Sequence, residues 1–175
     1  EELLHELPGL KTFVTLSPIP GFAAWLSSQK HSDGLFAGSL RDRLKAKDWL
    51  AEKDASDTIK SDLERAAAVY LAQTKTDSGK PLDTVARFHL NNGAILERIN
   101  YAADLSEKGL RQSCGLMVNY RYYLDVIEEN HEAYAESGQV VVSTQVQKLL
   151  PKEDRNLLTR SWRAFLSPRG NDIGA

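Results

Sequence analysis

Val85 to Tyr123 reads VARFHLNNGAILERINYAADLSEKGLRQSCGLMVNYRYY: an apolar run with a histidine, an Asn-Asn-Gly junction, a second apolar run and an aromatic-rich end. Val85, Phe88 and Leu90 predict a strand over Thr84 to Leu90 with His89 at its end. Asn-Asn-Gly between apolar runs would suit a hairpin turn. Ile95, Leu96, Ile99, Ala102 and Ala103 follow helical spacing better than alternation, so the expectation is a strand and then a helix opened by Asn91 and Asn92. Gly115 to Leu124 is dense in aromatics and suits another strand.

Outward from this stretch, Thr12 to Trp25 (TFVTLSPIPGFAAW) repeats the shape, with a β-branched and aromatic strand stopped at Ser17-Pro18-Ile19-Pro20-Gly21. A helix follows from near Gly21 and turns Phe22 and Trp25 inward. Ser39 to Leu50 reads as an amphipathic helix with Ser39 as N-cap. Ile59, Leu63, Ala66, Ala67, Tyr70 and Leu71 form one stripe at spacings of three and four, opposite Lys60, Asp62, Glu64 and Arg65, which predicts a helix. Thr74 to Pro81 (TKTDSGKP) reads as an exposed loop. Asp125 to Glu136 predicts a surface helix anchored by Ile127 and Tyr134 and ended by Gly138. Val140 to Ser143 suits a short strand and Thr144 to Leu150 a short helix. A polar tail follows, with an apolar patch at Trp162 to Leu166.

The 175 residues, 42% of them hydrophobic, suffice for one core, and one domain is the default. A net charge of -2 lacks the basic excess usual in nucleic-acid binders. No apolar run approaches the ~20 residues that span a bilayer, so no membrane partner is expected. Cys114 is the single cysteine, which excludes an intrachain disulfide and fits a reducing, cytoplasmic setting. His5, His31 and His131 have no metal-ligand spacing, and no metal is expected. The chain opens at Glu1-Glu2 without an initiator Met, which reads as a fragment of a longer polypeptide.

Ligands in open sheets collect at the carboxyl ends of parallel strands, where helix N-termini offer free N–H groups. Ser17 and His89 are expected at two such ends, facing one crevice if their strands are neighbours. By itself Ser17 before proline is a turn hydroxyl and His89 a partly buried histidine. Tyr122 shares a cluster with Tyr120 and Tyr123, where one strand face must be core. Cys114 reads as a small buried group, Gly109 and Gly115 as helix ends, and Lys108, Arg111 and Arg121 as surface charge within conceivable reach of phosphates.

TFVTLSPIPGF, FHLNNGA, ERINYAADLSEKG and SCGLMVNYRYYL, in this order, resemble the signature segments of the malonyl-CoA decarboxylase family. The resemblance implies an α/β, acetyltransferase-like (GNAT-type) mixed sheet, with two splayed neighbouring strands admitting the pantetheine arm of coenzyme A. It implies that Ser17 and His89 are catalytic, that Tyr122 lines their pocket, and that Pro18, Gly21, Phe22 and Asn91 meet the substrate. It implies decarboxylation of malonyl-CoA to acetyl-CoA and carbon dioxide, with no cofactor beyond the coenzyme A of the substrate. It also implies a homo-oligomer built through an N-terminal helical domain. Residues 1–175 would then be the C-terminal portion of the catalytic domain, with a helical insertion at about 34–75 and a polar tail from about 151. The alternatives are an acyltransferase on the same architecture, a serine hydrolase and a non-enzymatic helical binding module. The hydrolase lacks an acidic third member and a Gly-x-Ser-x-Gly elbow.

Overall fold

The structure, a computed structural model, describes residues 9–10, 12–29, 38–45, 49, 53–152 and 159–161. In chain order these form β1 (Thr12–Pro18), α1 (Phe22–Ser28), α2 (Gly38–Lys45), α3 (Lys53–Ala72), α4 (Thr84–Asn91), β2 (Ile95–Asn100), α5 (Glu107–Ser113), β3 (Met117–Tyr123), a 3-10 turn (Leu124–Val126), α6 (Ile127–Ser137), β4 (Val140–Val142), α7 (Thr144–Leu149) and β5 (Thr159–Ser161). The strands make one mixed sheet in the order β1-β3-β2-β4-β5. β3 is antiparallel to both β1 and β2, whereas β4 runs parallel to β2 and β5.

The stripe read along the long helix is the core of the molecule. Ile59, Leu63, Ala66, Ala67, Tyr70 and Leu71 are all buried, and α3 and α7 pack on β2 while α1 packs on α3 and α5. Burying each large apolar side chain stabilises the fold by about 1.5–3 kcal/mol. The expected loop at Thr74 to Pro81 is found, pinched by a bridge between Lys75 and Pro81. The predicted α6, its end at Gly138, and the short β4 and α7 are also found. Of the helix expected over Ser39 to Leu50, the N-terminal part is present as α2, which starts at Gly38, so that Ser39 lies within the helix and not at its N-cap, and Trp49 lies in a turn beyond its end at Lys45. The Ser39 side chain and Leu50 lie outside the described residues, as do His5, His31 and the Trp162 to Leu166 patch. The tail is not wholly without regular structure, because Thr159–Ser161 adds β5 beside β4.

Residues 84–100 reverse the expectation. Thr84–Asn91 is a helix and Ile95–Asn100 a strand. The helix starts because the buried Asp83 carboxylate accepts a hydrogen bond from the Ala86 N–H at 2.8 Å, satisfying a donor with no partner inside the helix. Its inner face is Ala86, His89 and Leu90, and Phe88, counted inward from the sequence, is 64% exposed. Asn91 and Asn92 close this helix rather than open one, and Gly93 follows at φ +76°, where L side chains are strained. β2 lies between β3 and β4 and buries Ile95, Leu96 and Ile99, so it lacks the alternation of a half-exposed strand. Its register with β3 shifts between Leu96 and Arg98, a bulge at Glu97 that breaks the period further.

Candidate active site

On β1, every second residue from Phe13 faces the helices, which puts Thr15 and Ser17 on one side of the sheet and leaves Val14 and Leu16 exposed on the other. The register sets Phe13 opposite Tyr122, Thr15 opposite Tyr120 and Ser17 opposite Val118. Across this face runs α4, with His89 in its last turn. Ser17 and His89 therefore do meet, but on a strand and a helix, not on two neighbouring strands. The crevice between parallel strand ends is replaced by a helix lying over an antiparallel pair.

Ser17 Oγ is 3.1 Å from His89 Nε2, and both side chains are buried. The other ring nitrogen, Nδ1, is 2.6 Å from the Tyr122 hydroxyl. The imidazole lies stacked on the Tyr120 ring at 4.3 Å between centroids and 19° between planes, and Phe88 meets it edge-on at 5.2 Å. Offset aromatic stacking holds the ring plane, and two hydrogen bonds hold its rotation. Burial pushes the His89 pKa below and the Tyr122 pKa above their ordinary values, so a neutral imidazole faces a neutral phenol. Either tautomer satisfies this chain. When the phenol donates to Nδ1, Nε2–H donates to Ser17; when Nδ1–H donates to the phenol, Ser17 donates to Nε2.

Two supporting residues escaped the sequence reading. Thr15 Oγ1 lies 3.2 Å from Ser17 Oγ, and Tyr120 supplies the ring under His89; its hydroxyl has no hydrogen-bond partner among the described residues. Both stand two residues before a residue already singled out, on the same strand face, and the period of two was the signal. Asp83, which starts the helix bearing His89, was legible as Asp followed by a short run of helix-compatible residues.

The substrate-contact expectations divide. Pro18 is exposed at the end of β1, pointing to the opposite side from Ser17. Gly21 is the N-cap of α1, and a Cβ there would fall on the Tyr70 hydroxyl, so it permits close packing of α1 on α3. Phe22 has no exposed surface and packs against Trp25 and Tyr70; its role is in the core and not at a ligand. Asn91 follows His89 by two residues, about half a helical turn, and points away from it; its carbonyl accepts a hydrogen bond from His131 Nδ1–H. Cys114 ends α5 at φ 52° and its thiol is pushed up to about 11 by burial, which disfavours a nucleophile. Gly109 lies within α5 against Asp104 and does not end it. Arg121 is on the face away from His89, paired with Glu97 at 3.3 Å and donating to the Tyr123 hydroxyl at 2.7 Å. Among the described residues no group of three or more His, Cys, Asp or Glu side chains converges as a metal would require, and no helix is long and apolar enough to cross a membrane.

Residues 1–160 match the family profile of the malonyl-CoA decarboxylase C-terminal domain. The mitochondrial malonyl-CoA decarboxylases of Mus musculus and Rattus norvegicus are each 36% identical over 179 residues, covering 89% of this chain and 36% of the relative. The chain thus spans about a third of the length of those curated relatives. Among solved structures, malonyl-CoA decarboxylase from Rhodopseudomonas palustris superposes with a TM-score of 0.77 at 47% identity, covering 84% of this chain and 37% of that one. The Agrobacterium vitis enzyme gives a TM-score of 0.77 at 44% identity, covering 85% and 38%.

Proposed function

The chain belongs to the family of malonyl-CoA decarboxylase C-terminal domains, and we propose that Ser17, His89 and Tyr122 serve in the full-length protein to decarboxylate malonyl-CoA to acetyl-CoA and carbon dioxide. The observation that carries this reading is the Ser17–His89–Tyr122 chain of 3.1 and 2.6 Å, in which Ser17 and His89 are buried and Tyr122 partly so. Breaking the bond between the malonyl carboxylate and Cα sends its electron pair into the thioester, giving an enolate, and a proton must then reach Cα. No external electron sink is required, because the thioester carbonyl delocalises the pair, and coenzyme A enters as part of the substrate. Ser17 O–H donates to the thioester oxygen as charge grows there, and His89 Nε2–H keeps Ser17 aimed; once carbon dioxide has left, the Nε2 proton passes to Cα while the Tyr122 proton moves to Nδ1, and solvent returns a proton to the phenolate to restore the neutral chain.

An acetyltransferase-like fold agrees with this reading. β2 and β4 run parallel with one registered pair, Leu96 with Val142, continued by the Ser143 N–H donating to the Leu96 carbonyl, and β2 carries a bulge at Glu97; so short and bulged a parallel pairing suits entry of a pantetheine arm beyond it. We read the 1–175 segment as part of a larger catalytic domain and the full-length protein as a homo-oligomer. We read the location as a reducing compartment, with which the single Cys114 is compatible, either a cytoplasm or the mitochondrial setting named for the rodent relatives.

Serine hydrolysis is the competing chemistry, since Ser17 Oγ touches Nε2. The third position holds a phenol where an anion would be needed to stabilise the imidazolium, and burial already disfavours a charged His89. The test is turnover of malonyl-CoA, with no acyl acceptor, by the full-length protein and its His89→Ala variant. Turnover should fall by roughly 100-fold to 1000-fold, as for loss of an aimed donor, while coenzyme A affinity stays within about twofold. Unchanged turnover would remove the assignment, an acceptor requirement would point to acyl transfer, and a trapped acyl-Ser17 would favour hydrolysis.

A further inference from the structure

We propose that Thr15 is a positioning residue for Ser17, an inference that rests on Ser17 being the group that meets the thioester. A serine hydroxyl has one proton and two lone pairs. Among the described residues Ser17 Oγ has two polar neighbours, His89 Nε2 at 3.1 Å and Thr15 Oγ1 at 3.2 Å. If both donate to Ser17, its lone pairs are occupied and its single proton has no acceptor left within this chain of groups. That proton then points at whatever is bound. If Thr15 instead accepts from Ser17, the donor is withdrawn from the substrate. Thr15 therefore sets the direction of the Ser17 O–H, and His89 alone cannot, because it fills only one lone pair.

The fold holds Thr15 where this requires. Its carbonyl accepts a hydrogen bond from Asn119 Nδ2 at 2.8 Å, and Asn119 Oδ1 accepts one from Asn100 Nδ2 at 2.8 Å, so three strands pin this point of β1. Its cross-strand partner is Tyr120, the ring on which His89 is stacked. One residue pair thus supports the serine from one side and the imidazole from the other. A threonine at this half-buried position also suits strand packing through its methyl group, and the experiment separates the hydroxyl from the shape.

In the full-length protein, Thr15→Val keeps the branched shape and removes the hydroxyl, while Thr15→Ser keeps the hydroxyl and removes the methyl. Thr15→Val is expected to lower kcat about tenfold, between the effect of an ordinary hydrogen bond and that of a donor touching the transition state. KM for malonyl-CoA should move less than about twofold, and Thr15→Ser should restore kcat to within about twofold of the parent. In a Ser17→Ala background, Thr15→Val should have no further effect, because its route to the reaction is gone. Parental kcat in Thr15→Val, equal losses in both Thr15 variants, or an undiminished loss in the Ser17→Ala background would each overturn the proposal. Parental turnover in Ser17→Ala itself would instead overturn the reading of the site on which it rests.

Discussion

At the scale of single residues, His89 is the one whose environment makes a claim about pH. Burial holds its pKa below the ordinary imidazole value near 6.5. The folded chain therefore refuses a proton that the unfolded chain accepts. Above the unfolded value the two states bind alike; as pH falls from there through the folded value, the unfolded state gains and stability is lost. A urea titration should show stability dropping across that acidic window, with a shallower drop in His89→Gln. A drop of equal size in both proteins would show that His89 does not carry it. Activity should lose its neutral imidazole in the same window, placing the acidic limb of kcat/KM below 6.5.

Among the elements, α4 and its termination decide whether the site exists. The helix is eight residues long, too short to persist on its own propensity, and it depends on the Asp83 cap and on burial of Ala86 and Leu90. Its end depends on Gly93 at φ +76°, where an added Cβ would fall on the Ile127 carbonyl oxygen. Gly93→Ala combines left-handed backbone strain with a clash against backbone, for a cost of about 3 kcal/mol. Urea denaturation should record that loss, together with weaker activity, since His89 is four residues upstream. A variant as stable as the parent would mean that the α4 to α6 contact yields easily. The same element explains the misreading of residues 84–100: on so short a helix one exposed aromatic, Phe88, is enough to imitate a strand.

For the whole molecule, the sheet order places β1 at an edge among the described residues, with Val14 52% and Leu16 55% exposed on the face of that strand away from Ser17. An apolar edge strand is a template for pairing with another chain. The 175-residue chain in isolation should self-associate with rising concentration, and Leu16→Lys should shift it toward monomer in size-exclusion chromatography with light scattering. Because residue 16 faces away from Ser17, the same change should leave the Ser17–His89 contact in place. Monomer at all concentrations in the parent chain would show that this edge is not a pairing surface.

The amino-acid sequence by itself determined the strongly periodic elements: the α3 stripe is legible from its spacing, and β1 and β3 from their β-branched and aromatic runs. Ser17, His89 and Tyr122 are legible as candidates only through the resemblance of their segments to a known family, because a serine before proline, a partly buried histidine and a tyrosine on a core strand each read as structural by residue type. Tertiary structure alone decided that residues 84–91 coil and 95–100 extend, and that Thr15 and Tyr120 join the site. The reason is that local pattern reports only which side of an element is wet. β2 is covered on both faces and α4 leaves an aromatic outside, so in each the environment imposed by distant segments overrides the periodicity that a sequence can display.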